Sequence, residues 1–137
     1  MTTALLALRA AIRARCAADG SLAALLDGSA AILDEPPRGA APAYCVFGPA
    51  EARDNSTSTD RGHLHRLALT VWARPGSAAS GLSAAGRIAE LLDDAVLTPS
   101  GHRLVRLSVE EIASDRDRDT NLAFATVRLT AATEVVG

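Results

Sequence analysis

Residues 114 to 134 read SDRDRDTNLAFATVRLTAATE. From Asn121 to Thr133 the side chains alternate, with Ala123, Ala125, Val127 and Leu129 on one face and Leu122, Phe124, Thr126 and Arg128 on the other. Period-two alternation over that length marks a strand with one face in a core. Upstream, Arg103 to about Ser114 alternates as well, placing Val105, Leu107 and Val109 together. The pattern predicts a hairpin with Asp115, Arg116, Asp117, Arg118 and Asp119 at its tip. If strand alternation continues through the tip, the carboxylates fall on one side and the guanidiniums on the other. Such a two-signed edge suits docking, because exposed charges set register and orientation more than they add stability; the competing reading is a solvated hairpin turn.

Working outward, HLHRLALTVWA (63–73) is a second long strand, with Leu67, Leu69, Val71 and Ala73 on one face and Arg66, Ala68, Thr70 and Trp72 on the other. A helix from about Ser77 to Ala95 follows, carrying Leu82, Ala85, Ile88, Leu92 and Ala95 at helical period. Gly86 inside it costs about 1 kcal/mol relative to Ala and therefore marks close packing. Near the N-terminus, Leu5, Leu8, Ile12 and Cys16 form an apolar stripe with Thr2 or Thr3 as N-cap, ending near Asp19-Gly20. SLAALL (21–26) makes a further turn, and DEPPRGAAPA (34–43) is extended or turning because Pro36, Pro37 and Pro42 prohibit a regular element. YCVFG (44–48) reads as a short strand, and EARDNSTSTDRG (51–62) as a polar loop or hairpin tip. The order helix, strand, strand, helix, strand, strand specifies an α+β fold. We expect one domain over residues 1–137, with a mixed or antiparallel sheet of about four strands and two main helices on one face.

Composition narrows the function. The apolar fraction is 48% and the charged fraction 22%, ordinary for a globular chain. A net charge of -2 gives no basic patch for sequence-specific nucleic-acid binding. All 14 basic residues are Arg, the side chain that makes planar, bidentate contacts. No uninterrupted apolar stretch reaches transmembrane length, and Arg9, Arg13 and Arg15 interrupt the N-terminal apolar run, so neither a membrane partner nor a targeting peptide is expected. Cys16 and Cys45 read as buried small hydrophobes.

Chemistry-bearing motifs are sparse. His63 and His65 lie two apart on a strand and share a face, which could begin a metal site, but no acidic third ligand accompanies them. The competing reading is a pair of solvent-facing histidines at a strand start, and the enzymatic alternative is a small metal-dependent hydrolase. No serine occupies a nucleophile elbow and no glycine spacing cradles phosphate. Asp93 and Asp94 read as an exposed helix end, the alternative being a carboxylate pair presented to an Arg of a neighbouring subunit. The expectation is therefore a protein that is not an enzyme, binds no cofactor and has no catalytic or metal-ligating residues. Its candidate interface residues are the charges of the two polar segments: Arg53, Asp54, Asp60 and Arg61, and Asp115 to Asp119.

The ordered set ALLALRAAIRARCAADGSLAALLDG, PPRGAAPAYCVFG, HLHRLALTVWAR and SDRDRDTNLAFATVRLTAATE resembles the tail-completion or tail-terminator family of long-tailed phages and gene transfer agents. It departs from that pattern where Thr120 and Asn121 stand in place of a Gly often found after the last Asp of the turn. The resemblance implies a small α+β subunit forming a homo-hexameric ring at the head-proximal end of a tail. It implies termination of tail-tube polymerisation, with the tail-tube protein and a head-closure or neck protein as partners and DNA free to pass through the lumen. The chain would reside in the cytoplasm during assembly and then in the neck region of the particle. The rival within the same class is another neck component, a head-closure or adaptor protein.

Overall fold

The computed structural model describes residues 3–28, 30–37, 43–74 and 77–136. Thr2, residues 38–42 of the proline-rich segment and the Pro75-Gly76 turn lie outside the described residues. The elements are α1 (Ala4–Ala17), α2 (Gly20–Leu25), β1 (Ile32–Leu33), β2 (Tyr44–Asp54), β3 (Gly62–Trp72), α3 (Ala78–Leu92), β4 (His102–Arg116) and β5 (Ala123–Val135). The strands form one sheet in the order β1-β2-β3-β5-β4. β1 pairs parallel with β2, and the other pairings are antiparallel. The architecture is α+β with a mixed sheet; the fifth strand, β1, is two residues long and too short to register as a sequence pattern.

The alternation that announced β3 and β5 is the core. Leu67, Leu69 and Val71 meet Ala125, Val127, Leu129 and Ala131 on one face, joined by Leu8, Ile12 and Cys16 of α1 and Ala84, Ala85, Ile88 and Leu92 of α3. Both cysteines are free and fully buried. Thr3 caps α1, accepting from Leu6 N–H at 3.3 Å. Asp19 caps α2 through Leu22 N–H, 2.8 Å, and also takes a bidentate pair from Arg87 of α3 at 2.7 and 2.9 Å. Those Arg87 hydrogen bonds come first in holding the Asp19 carboxyl down at about 2.

Several expectations are corrected. α3 turns a stripe of small residues to the sheet, burying Gly81, Ala84 and Ala85, while Leu82 is 44% exposed. The close approach belongs to Gly81, where a Cβ would lie 3.0 Å from that of Ala73; at Gly86 a Cβ would meet nothing within 4 Å. Val105 does not join the core: the pairing shifts between Leu104 and Arg106, so the bulge takes Val105 out of the alternation and leaves it 54% exposed. β2 runs on to Asp54, so the polar loop is only residues 55–61. Glu51 to Asp54 pair with Arg66 to His63 through their backbones, which overrides their polar side chains. Asp93 and Asp94 do more than end α3. Asp93 Oδ1 accepts from Val109 N–H at 2.9 Å, and Asp94 N–H donates to the Leu107 carbonyl at 2.9 Å. Together they cover the middle of the β4 edge, which would otherwise offer unpaired backbone groups.

Candidate assembly surface

The nine charged candidates fall into two groups that the fold separates. Arg53 and Asp54 end β2, with Asp60 and Arg61 in the first tip, residues 55–61, which joins β2 to β3. Asp115 and Arg116 end β4, with Asp117, Arg118 and Asp119 in the second tip, residues 117–122, which joins β4 to β5. The register places Asp54 beside His63 and His63 beside Thr133, at one end of the sheet. Asp115 is beside Phe124, which is beside Trp72, at the other end. With β3 spanning 11 residues between them, the groups sit roughly 30 Å apart.

Each tip holds its own shape. In the first, Ser56 donates from Oγ to Asp54 Oδ1 at 2.6 Å, and Thr57 N–H donates to the Asp60 carbonyl at 2.8 Å. The Ser56 hydroxyl is the main reason the Asp54 carboxyl is held below the ordinary range. In the second, Asp115 and Arg116 still pair within β4, but Asp117, Arg118 and Asp119 do not continue the strand. Asp117 Oδ2 accepts from Thr120 Oγ1 at 2.7 Å, Arg116 Nη1 donates to the Asn121 carbonyl at 3.1 Å, and Asn121 takes φ 59°. The opposite-sided display of carboxylates and guanidiniums is thus replaced by a closed turn. Asparagine at this left-handed position performs the conformational job glycine would do, since its short polar side chain tolerates αL.

One feature escaped sequence reasoning. The chain has one Trp, one Tyr and two Phe, and three of these stand in one line: Tyr44 opposite Trp72, and Trp72 opposite Phe124. The Trp72 and Phe124 rings lie 4.9 Å apart. All three are half-buried and belong to the face away from the helices. Alternation had already put Trp72 and Phe124 off the core faces, but which strands neighbour one another was not readable. Farther along the same face, a depression of about 470 Å³ lies among Pro49, Glu51, Arg66, Ala68, Glu110 and Arg128. It sits between the register shifts of β2 and β4, which bend the outer strands.

Of the two histidines, His65 is not solvent-facing, while His63 is half-buried. His65 is 1% exposed, with Nε2 2.8 Å from Thr133 Oγ1. The His63 and His65 rings are 6.2 Å apart, and no group of three His, Cys, Asp or Glu that could hold a metal occurs among the described residues. Burial, followed by the nearby charges of His63 and His102, depresses the His65 imidazole to about 4. Among the described residues no helix is long and apolar enough to cross a membrane.

The family model described as Tail completion protein gp17 matches residues 10–134. A solved chain from the virion of a native gene transfer agent particle superposes with a TM-score of 0.84 at 29% sequence identity, covering 97% of this chain and 99% of that one. No curated protein matches at a significant level.

Proposed function

The chain belongs to the tail completion protein gp17 family and is a structural component of a phage-like tail; from that premise we propose that it caps the head-proximal end of the tail tube as a ring of six copies. In this reading the ring ends tube polymerisation and presents the surface on which a head-closure or neck protein seats. Subunits form in the cytoplasm and are retained in the neck of the finished particle. The work is done by binding surfaces, with no catalysis. The observation carrying the proposal is the family match over residues 10–134, together with the full-length likeness to a chain of a gene transfer agent virion.

The fold supports this reading. A ring subunit must present two different patches that meet between neighbours. Here one sheet holds two charged tips at opposite ends, each shaped by its own hydrogen bonds.

Deleting the gene in its producing cell and imaging the particles tests the proposal. Tails of uncontrolled length, or tails lying free beside filled heads, are expected. Complete particles of normal length would overturn it, and normal-length tails merely detached from heads would assign the chain to head closure instead.

A further inference from the structure

We propose that the two ends of the sheet are the two halves of one contact between copies, in which Arg53 and Arg61 of one subunit lie on the Tyr44, Trp72 and Phe124 row of the next and face its Asp115. This rests on the ring reading above and specifies the surface that closes the ring.

Charge is the first argument. At the second tip, Arg116 is turned into its own loop by the Asn121 carbonyl, leaving Asp115, Asp119 and Arg118 with no ion pair among the described residues. Carboxylates are in excess there. At the first tip, Arg53 and Arg61 stand with Asp54 and Asp60, and neither guanidinium is in an ion pair among the described residues. Guanidiniums free of ion pairs at one end and carboxylates free of ion pairs at the other suit a head-to-tail contact between identical chains.

The aromatic row is the second argument. Guanidinium groups stack on aromatic faces, which ammonium groups do less well, and every basic residue here is Arg. The chain already uses this contact internally: the guanidinium carbons of Arg9 and Arg13 lie 4.3 and 5.4 Å from the Phe47 ring centroid. Phe47 is covered in this way by α1, whereas the other three aromatics, half-buried like Phe47, lie on the face of the sheet away from the helices.

The test uses the full chain and its single tryptophan, which lies in the proposed contact and reports its burial. Sedimentation and Trp72 emission are followed against concentration for the parent, for Arg53→Glu/Arg61→Glu and for Asp115→Arg/Asp119→Arg. All four positions are exposed, and circular dichroism checks that each variant folds. The parent is expected to associate with a blue shift of Trp72 emission. Each variant alone should associate roughly a hundredfold more weakly, because like charges then face across the contact. An equimolar mixture should recover association, since one contact is parental and the next has both charges exchanged. Parental association by either variant alone, failure of the mixture to recover, or a parent that remains monomeric at its solubility limit would each overturn this contact. The capping role is judged separately, by whether the gene deletion alters tail length.

Discussion

His65 Nε2 and Thr133 Oγ1 lie 2.8 Å apart in the interior, tying the start of β3 to the end of β5. The other ring nitrogen of His65 is buried without a hydrogen-bond partner among the described residues. Such a site favours the neutral imidazole, since a charge there would be desolvated and would face His63 and His102.

Acid is therefore expected to destabilise the fold through this residue. His65 titrates near 6.5 when unfolded and near 4 when folded, so between those values the unfolded chain binds the extra proton. The contribution of His65 is complete above pH 6.5, falls as the pH drops through that window and levels off below 4, a loss on the order of 3 kcal/mol. Urea unfolding at pH 7 and 4.5 measures it. A His65→Gln variant should lose that component, and an identical pH dependence in the variant would refute the assignment.

The glycines of α3 should respond in opposite directions. Gly86→Ala adds a methyl group into open space and should stabilise the protein by about 0.5–1 kcal/mol through helix propensity. Gly81→Val should destabilise it by roughly 1–3 kcal/mol, because the side chain is forced onto Ala73. Thermal unfolding of both variants decides the matter, and a stable Gly81→Val protein would mean α3 does not sit this close to the sheet.

Burial pushes the Cys16 thiol up to about 11 and the Cys45 thiol up to about 12. Since the thiolate is the reactive form, neither should be labelled by a maleimide in the native protein at pH 7, and both should be labelled in denaturant. Rapid native labelling of Cys45 would contradict its enclosure between α1 and the sheet.

Removing the staple at the end of α3 should loosen β4. Asp93→Ala leaves the Val109 N–H without its acceptor, a loss of roughly 1 kcal/mol. Amide hydrogen exchange at Val109 should accelerate, with little change in the middle of β3. Unchanged protection at Val109 would show that the edge is covered by something else.

The extent to which this molecule can be read from its sequence follows from the range of the forces involved. Alternation at Leu67 to Val71 and at Ala125 to Leu129, and the stripe Leu8, Ile12 and Cys16, are local patterns set by strand and helix periodicity. They determined the class of fold, the two long strands at its centre and the burial of both cysteines. The charged tips were legible as turns because Asp, Asn, Ser and Thr compete for the backbone.

Only tertiary structure decided what those patterns meet. A backbone ladder carries Glu51 to Asp54 into β2 despite their polarity, bulges withdraw Val105 from the core, and His65 is buried because its face continues that of Leu67 and lies against Ala131, within hydrogen-bond reach of Thr133. Above all, strand order is a long-range property. It aligns Tyr44, Trp72 and Phe124 in one row and sends the two charged tips to opposite ends of the sheet, relations that no local period encodes because the residues involved are distant in the chain.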